Sequence, residues 1–369
     1  MADLTLTPTP HSIDISLTGR CNLKCKYCFY ANEMTALTDL STEKWLACFE
    51  ELGRLNVMEV TLSGGEAFTR PDLFELIDGV IANRMRYSIL SNGTLITDKT
   101  LEQFAVGKRR QRLNYIQISI DGSRPEVHDA SRPNSFTRAV RGLRLLKEAG
   151  FPVTVRVTIN KHNLHDLENI AALLLEDIGL PSFSTNDAIP MGSGCQNEQE
   201  IALGPREQLE AMDIMRRLLE RYPGRLNAQA GPQAKIQMYA EMEHARRTGE
   251  KTTRWGMGYL TACGCTFSKL AILHDGTIVP CNMLTVRLGN VTTDSIREIW
   301  HTHPVLKAMR ERRFIPMQEV PGCAHCEWAP YCNGSCPALP YTLYGDFNRA
   351  NPHDCYRRFI QEVGHGVAQ

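Results

Sequence analysis

Three cysteines near the start of the chain have the spacing of a metal-binding loop. Cys21, Cys25 and Cys28 stand in the segment CNLKCKYC, directly after residues that predict a first strand. A [4Fe–4S] cluster ordinarily takes four thiolates, and this loop supplies three. Three ligands leave one iron open to a small molecule, as catalytic zinc sites keep one position open. The alternative on these residues alone is a structural zinc loop that borrows a distant fourth ligand.

Short polar residues follow the next three predicted strands. They are Gly64, Gly65 and Glu66 after the second strand, Ser91, Asn92 and Gly93 after the third, and Ser119 and Asp121 after the fourth. Glycines let a backbone approach a ligand closely, a carboxylate can hold an ammonium group, and short polar side chains can contact a ribose. Each group alone is compatible with an ordinary turn. Together they predict a single site lined by polar groups at the ends of consecutive strands.

The elements that would position these groups form a repeating pattern. From residue 12 to about residue 187, apolar strands alternate with amphipathic helices in about six βα units. The predicted strands cover 13–17, 59–62, 87–90, 115–120, 153–159 and 182–185. Repeated βα units favour a parallel sheet with helices outside, so the expected fold is α/β, a partial (β/α)6 TIM-type barrel. Function in such folds sits at the carboxyl ends of the strands.

The second half of the chain has a different character. Two charged helices are predicted over 205–222 and 234–247, without strand partners, and then the chain becomes rich in Cys, Gly and Pro. Asp275-Gly276 predicts a type I′ hairpin turn. The expected domains are a barrel over 11–200, a helical linker over 201–255 and a cysteine-rich domain over 256–358.

Eight of the thirteen cysteines lie in this last region. They are Cys263, Cys265, Cys281, Cys323, Cys326, Cys332, Cys336 and Cys355. Dense cysteine in a reducing compartment favours metal over disulfides, and eight thiolates can hold two further [4Fe–4S] clusters; the alternative is two zinc sites. Cys48 and Cys195 stand apart, and Cys48 is predicted to lie in a helix core.

Composition excludes several classes of partner. Lys plus Arg and Asp plus Glu number 41 each, so no overall charge points to nucleic acid or to a membrane surface. We find no signal peptide and no run long enough to span a bilayer. The protein is predicted to be cytoplasmic, without a nucleic-acid or membrane partner.

The first motifs resemble those of a known superfamily. CNLKCKYC resembles the CxxxCxΦC loop of radical S-adenosylmethionine (SAM) enzymes, with Tyr27 as the aromatic residue, and SGGEAF resembles their GGE motif. The resemblance implies that the three loop cysteines hold the SAM cluster and that Glu66 holds the methionyl amine. It also implies reductive cleavage to methionine and a 5′-deoxyadenosyl radical. The expected contacts to SAM are Tyr27, Gly64, Gly65, Glu66, Ser91, Asn92, Ser119 and Arg132.

The later cysteines resemble the SPASM extension found behind many of these enzymes. The resemblance implies three [4Fe–4S] clusters in all. It assigns a first auxiliary cluster to Cys263 or Cys265, Cys281 and Cys336, and a second to Cys323, Cys326, Cys332 and Cys355. If only one of the two neighbouring cysteines Cys263 and Cys265 binds, the first auxiliary cluster would keep an open iron.

SPASM enzymes mostly modify peptides, and three segments narrow the comparison. CNLKCKYCFYANEM, GEKTTRWGMGYLTACGC and GDFNRANPHDCYRRF resemble maturases of precursors with Nif11-type leaders. That group includes spliceases, which excise tyramine and leave an α-keto-β-amino acid. Cross-link formation and epimerisation, with Cys195 as a hydrogen donor, are alternatives. Sulfatase-maturing relatives have an Asp that acts as a base at the position where this chain has Asn282. The Asn282 amide cannot usefully accept a proton, which argues against that activity. A non-catalytic cluster or zinc scaffold is the alternative of another class.

The resemblance also implies partners. They are a ribosomally made precursor peptide, an electron donor such as ferredoxin or flavodoxin, and a separate leader-binding protein, because the first strand begins near residue 12. Arg132 would hold a carboxylate or be an ordinary surface charge. The basic residues of 108–112 are predicted to form a solvated loop rather than a dock for an acidic peptide.

Overall fold

The computed structural model describes residues 5–35, 38–252 and 256–364, and ten strands in this part of the chain form one open sheet. Its order is β10-β9-β8-β1-β2-β3-β4-β5-β6-β7, and strands β8 and β1 to β7 run parallel. The strands are β1 (Ser12–Ser16), β2 (Glu59–Ser63), β3 (Arg86–Ser91), β4 (Leu113–Ser119), β5 (Val153–Ile159), β6 (Phe183–Asp187), β7 (Leu226–Ala228), β8 (Lys269–Ile272), β9 (Thr277–Val279) and β10 (Gly289–Asn290).

Helices follow most of the strands and cover the outer face of the sheet. In chain order, the α-helices of the described residues are α1 (Thr42–Arg54), α2 (Leu73–Ala82), α3 (Asp98–Ala105), α4 (Arg109–Arg112), α5 (Pro125–Ser131), α6 (Phe136–Glu148), α7 (Leu167–Ala172), α8 (Ser193–Gln196), α9 (Glu198–Ile201), α10 (Pro205–Arg221), α11 (Gly231–Thr248), α12 (Cys265–Ser268), α13 (Ile296–Thr302), α14 (Pro304–Glu311), α15 (Ala338–Tyr344) and α16 (Tyr356–Val363).

Alternation along the strands decides which face is core. In β5, Val155 and Val157 are fully buried against the helices, whereas Arg156 between them is half-buried on the opposite face. Helix α1 begins as its sequence predicts, because Ser41 accepts a hydrogen bond from the Lys44 amide at 3.4 Å. Cys48 of α1 is buried in the core. The apolar layer between the sheet and the helices therefore leaves the opposite face of the sheet polar. We call this face, on which Arg156 lies, the concave face.

The region predicted as a helical linker carries a strand that sequence analysis missed. Strand β7 lies between α10 and α11 and pairs in parallel with β6. At three residues it is too short to show a period-two pattern. The prediction that these two helices lack a strand partner is therefore wrong, and the barrel sheet extends through them.

The predicted hairpin is present, but its turn differs from the expectation. Strands β8 and β9 pair antiparallel, and Gly276 has φ +84° whereas Asp275 does not have a positive φ. A type I′ turn needs positive φ at both central residues, so this is a longer loop closed by one left-handed glycine. Strand β8 also pairs in parallel with β1. The cysteine-rich part of the chain is thus continuous with the barrel sheet.

Among the described residues, no helix combines the length and apolar character required to cross a membrane.

Candidate active site

The loop after β1 brings the first three cysteines together. Cys21, Cys25 and Cys28 are each partly buried, and the Cys28 amide donates to the Cys25 carbonyl at 3.3 Å. Burial raises the pKa of Cys21 to about 12 and that of Cys28 to about 11, and the neighbouring thiols add to each rise. Thiols must lose their protons to bind metal, so binding of a cluster to this loop would release the protons of these cysteines.

The two glycines before Glu66 pack against the backbone of the cysteine loop, and their expected contact with SAM stays a prediction. A Cβ atom on Gly65 would stand 2.3 Å from the Arg20 carbonyl oxygen, and one on Gly64 would stand 2.5 Å from that of Thr18. The Gly65 amide donates to the Thr18 oxygen and the Glu66 amide to the Arg20 oxygen, both at 2.8 Å. The glycines therefore let β2 dock against the cysteine loop itself, which the sequence did not indicate.

The Glu66 carboxylate is buried and held in one orientation. Its Oε1 accepts from the Ser91 hydroxyl at 2.9 Å and from the Phe68 amide at 3.2 Å, and its Oε2 accepts from the Asn92 amide at 2.7 Å. Burial raises the pKa of Glu66, whereas these hydrogen bonds lower it. Carboxylate oxygens have further acceptor capacity, so the group can still receive an ammonium.

Ser91 and Asn92 have structural partners rather than free polar atoms. The Asn92 Nδ2 donates to Asn22 Oδ1 at 2.9 Å, and its Oδ1 accepts from the Thr94 hydroxyl at 2.6 Å. Asn22 follows Cys21 directly, so β3 braces the cysteine loop. The expected contact of these residues with a ribose stays a prediction.

A buried network stands behind the middle cysteine. Asp121 is fully buried and receives hydrogen bonds from the Tyr27 hydroxyl and the Arg132 Nε. Arg132 Nη1 lies 3.7 Å from Cys25 Sγ, and its guanidinium carbon lies 5.2 Å from the Tyr27 ring centroid. The Arg132 side chain is only 12% exposed, so the alternative of an ordinary surface charge is wrong.

His128 supports this network as a neutral side chain. Its Nδ1 accepts from the Asp121 amide at 3.1 Å, and its Nε2 faces the Ser135 hydroxyl at 3.0 Å. The Ser135 hydroxyl donates to the Arg132 carbonyl, so the pattern assigns the proton to Nε2. Burial lowers the pKa of His128 to about 4, which keeps the ring uncharged at neutral pH.

The segment after β6 clamps the cysteine loop, and sequence analysis missed this. The Ser193 hydroxyl donates to the Cys25 carbonyl at 2.9 Å, and the Asn197 amide group donates to the Lys26 carbonyl at 3.0 Å. Gly192 has φ +57°, and a Cβ there would stand 2.2 Å from the Cys28 carbonyl oxygen. The signal was the run GSG after the sixth strand. Cys195 in this segment is exposed.

Arg156 is a second residue that sequence analysis missed. It is half-buried on the concave face, its Cα partners in the sheet are Ser119 and Ser184, and its Nε has no hydrogen-bond partner in the described part of the chain. The signal was one arginine inside the β-branched strand VTVRVTI. Ser119, a predicted SAM contact, ends β4 on the same half-buried face.

The later cysteines divide into two sets. The thiols of Cys263, Cys281 and Cys336 lie close enough to Cys265 to raise its pKa. The thiols of Cys323, Cys326 and Cys355 raise the pKa of Cys332 in the same way. This division is the one that the sequence resemblance implies, although which thiols bind iron stays a prediction.

Both neighbouring cysteines of the first set face the same space. Cys263 Sγ and Cys265 Sγ are 3.1 Å apart, and Cys263 has φ +58°, which is rare for a residue with a side chain. No three Cys, His, Asp or Glu side chains among the described residues converge as ligands of a single ion do. A cluster of four irons and four sulfides is larger than one ion, and its thiolates stand further apart.

A buried ion network links the barrel to the second set. Lys235 of α11 lies 3.0 Å from the Asp354 carboxylate and 3.5 Å from that of Asp187, and its side chain is 2% exposed. His353 Nε2 lies 2.8 Å from the same Asp187 oxygen. Asp187 ends β6, and Asp354 directly precedes Cys355. The network therefore joins a strand end, a helix and a predicted cluster ligand.

Two family models match the chain. One describes the radical SAM superfamily and matches residues 15–174, and the other describes an iron–sulfur cluster-binding domain, SPASM, and matches residues 263–327. The chain carries a radical SAM domain followed by a SPASM domain. It is a radical SAM enzyme, and its cofactors are [4Fe–4S] clusters and SAM. When bound, these cofactors supply a 5′-deoxyadenosyl radical.

Curated relatives align with nearly the whole of this radical SAM enzyme. An AdoMet-dependent heme synthase from Methanosarcina barkeri is 28% identical and the alignment covers 96% of this chain and 99% of the relative. A heme synthase from Oleidesulfovibrio alaskensis is 29% identical over 95% of this chain and 88% of the relative. A PqqA peptide cyclase from Ruegeria pomeroyi is 28% identical over 94% and 87%.

Solved structures share the fold of this enzyme. Streptococcus suis SuiB bound to precursor peptide SuiA superimposes with a TM-score of 0.71 at 15% identity, covering 94% of this chain and 76% of SuiB. Native anSMEcpe with bound AdoMet gives 0.67 at 17% identity, covering 96% and 97%. At these identities the likeness establishes the fold, a radical SAM domain with a parallel sheet followed by a SPASM domain.

Replacing the buried carboxylate tests how SAM is held. We expect Glu66→Gln to weaken binding of SAM about 10- to 100-fold, because a hydrogen bond to a charged group contributes about 1.5–3 kcal/mol and each 1.4 kcal/mol is tenfold. The measurement is an anaerobic binding isotherm on the cluster-loaded enzyme. The control is Glu75→Gln, an exposed carboxylate of α2, which should leave the Kd unchanged. An unaltered Kd for Glu66→Gln would show that this carboxylate does not contact SAM.

Proposed function

We propose that this enzyme matures a ribosomally made precursor peptide through a 5′-deoxyadenosyl radical. The proposal draws on the three segments that resemble maturases of precursors with Nif11-type leaders. It also draws on a fold shared with SuiB, whose structure holds a precursor peptide, and with anSMEcpe, whose structures hold Cp18Cys and Kp18Cys peptides. One curated relative is named a peptide cyclase.

A second candidate substrate is a tetrapyrrole. Three curated relatives at 28–29% identity are named AdoMet-dependent heme synthase, and a fourth is named Fe-coproporphyrin III synthase. A coproporphyrin carries several propionate groups, and each would need a cationic or hydrogen-bonding partner in the site.

The pairing of cations beside the cysteine loop favours a peptide over a tetrapyrrole as the substrate. Arg132 is paired with Asp121 and Lys26 with Glu200, whereas Arg156 keeps an Nε without a partner among the described residues. The two paired cations are already neutralised and Arg156 can meet one carboxylate, which disfavours a ligand with several carboxylates. A peptide backbone needs hydrogen bonds rather than charge partners.

Within this proposal the chain's own residues have distinct tasks. Glu66 receives the ammonium of SAM, and Arg156, with its free Nε on the concave face, meets one carboxylate, that of the methionyl group. The network of Asp121, Arg132 and Tyr27 holds the middle of the loop and directs an N–H of Arg132 at Cys25 Sγ. A hydrogen-bond donor there would stabilise the thiolate form of Cys25.

The finer reaction is excision of tyramine from a Tyr-Gly site. Formation of a C–C or C–S cross-link and epimerisation are the alternatives, and Cys195 is the candidate hydrogen donor for the last. A separate leader-binding protein would deliver the precursor, and a ferredoxin or flavodoxin would supply electrons.

The test offers both substrate classes to one enzyme preparation. Under anaerobic conditions the cluster-loaded enzyme receives SAM, reductant and either a Nif11-type precursor with a Tyr-Gly core, with its leader-binding protein, or Fe-coproporphyrin III. We expect 5′-deoxyadenosine to rise with the peptide only, together with a loss of peptide mass equal to one tyramine unit. Turnover of the porphyrin without change in the peptide would overturn the proposal. A peptide changed only by solvent deuterium at an α-carbon would replace excision with epimerisation.

A further inference from the structure

Arg312 is a fully buried arginine whose hydrogen bonds are incomplete. It follows α14 and starts the short turn Arg312–Phe314, and none of its surface is exposed. Its Nη1 donates to the Thr261 carbonyl oxygen, but Nε and Nη2 have no partner among the residues that the structure describes. A guanidinium presents five donors, so most of this group's capacity is unused.

The surroundings of Arg312 belong to the first set of later cysteines. The thiols of Cys263 and Cys336 and the carboxylate of Asp346 all act electrostatically on its guanidinium, whose pKa burial lowers to about 10. Thr261, which receives its one hydrogen bond, lies two residues before Cys263. The Thr261 amide donates a hydrogen bond to the Asn333 carbonyl at 2.8 Å, and Asn333 lies between Cys332 and Cys336 in the sequence. Arg312 therefore lies where the chain segments that carry this set meet.

Such an arrangement is unfavourable unless an anion completes it. A buried cation whose donors lack acceptors is unfavourable, and each unmade hydrogen bond adds to that cost. The unused donors of Arg312 form a rigid fork that suits an anionic acceptor. A [4Fe–4S] cluster with its thiolates is anionic, and hydrogen bonds to its sulfurs tune its reduction potential.

We propose that Arg312 is a positioning residue for the first auxiliary cluster. Its Nε and Nη2 donate hydrogen bonds to a sulfur of that cluster or of a ligating cysteine, and its charge raises the reduction potential of the cluster. The proposal does not depend on the substrate, so it stands or falls separately from the peptide assignment.

Removing the charge tests this directly. In the cluster-loaded, full-length enzyme, we expect Arg312→Met to shift the midpoint potential of one cluster to a more negative value, measured by redox titration followed by electron paramagnetic resonance. The SAM cluster is recognised because its signal changes when SAM is added, and the affected cluster should be one of the other two. Arg312→Lys, which keeps the charge, should restore part of the shift.

Arg310 provides the matched control. It is also a buried arginine, but its guanidinium carbon lies 4.6 Å from the Trp300 ring centroid and its Nε donates to the Thr266 carbonyl at 2.8 Å. Burial lowers the pKa of Arg310, and no thiol is among the causes of that shift; its Nη2 has no partner among the described residues. Arg310→Met should therefore destabilise the fold without moving any cluster potential. Unchanged potentials in Arg312→Met, or equal shifts in both methionine variants, would overturn the proposal.

A second measurement covers the case in which Arg312→Met does not hold the cluster. In the iron-free, full-length chain, Arg312→Met should unfold at the same or a higher denaturant concentration than the unmodified chain, because it removes an uncompensated buried charge. In the loaded enzyme the same change should lower stability or reduce the iron content. Equal destabilisation with and without iron would show a purely structural role and refute the assignment.

Discussion

Replacing Cys25 by alanine is expected to abolish formation of 5′-deoxyadenosine and to remove one cluster only. Three [4Fe–4S] clusters contain about twelve irons, and the variant should retain about eight. The physical reason is that this loop supplies three thiolates to one cluster, whereas the two later sets lie in another part of the chain. The measurement is an iron and sulfide count together with product analysis after reduction in the presence of SAM.

The control for this change is Cys48→Ala. Cys48 is 3% exposed in α1 and packs in the apolar core, so its loss should cost some stability but no iron and no cleavage. Continued cleavage of SAM by Cys25→Ala would contradict the assignment of the loop. Loss of all iron by Cys48→Ala would show that cluster content depends on general stability rather than on particular ligands.

Replacing Lys235 by methionine is expected to be the most destabilising single change outside the cluster ligands. The lysine is the one cation that lies between Asp187 and Asp354 in the described network, and breaking a buried pair costs about 3–5 kcal/mol because it leaves an uncompensated charge. Asp354 precedes Cys355, so we also expect the second auxiliary cluster to be lost first. Denaturant unfolding and iron content measure the two effects.

An exposed lysine gives the comparison. Lys161 lies 3.4 Å from Glu207 with both side chains about one-third exposed, and Lys161→Met should change stability by about 0–1 kcal/mol. Adding Asp187→Asn to Lys235→Met should recover part of the loss, since it removes one of the stranded charges. A Lys235→Met enzyme as stable as Lys161→Met would mean that the network contributes little.

Much of the fold was predictable because periodicity and turn residues act locally. Strand β5 occupies the predicted range 153–159, and α10 begins at Pro205 as expected, because β-branched runs and a proline at a helix start are strong local signals. Strand β7 was not predictable, because three residues become a strand only by pairing with β6. The type I′ turn failed since the sequence Asp-Gly does not by itself fix the loop length.

The candidate site shows the same division. The cysteines were predicted from their spacing and Glu66 from the segment SGGEAF, because both motifs are local in sequence. Residues that act across long separations were not found, such as Ser193, whose hydroxyl contacts the Cys25 carbonyl, and Arg312, whose relation to Cys263 depends on tertiary packing. The contact of Gly65 with the Arg20 carbonyl was likewise not predictable, since only the folded chain brings Arg20 against it.

The direction of β9 has a consequence for the space that a substrate can occupy. The cysteine loop leaves β1 at its carboxyl end, whereas Cys265 lies just before β8, whose first residue Lys269 pairs with Ser12. Strand β9 returns antiparallel to β8, so Cys281 follows it at this same end of the sheet. The SAM loop and the first later set therefore lie at opposite ends of β1. Five residues at about 3.3 Å each give this strand a length of about 16 Å. A substrate held between the two sets would therefore have about the length of β1 available to it.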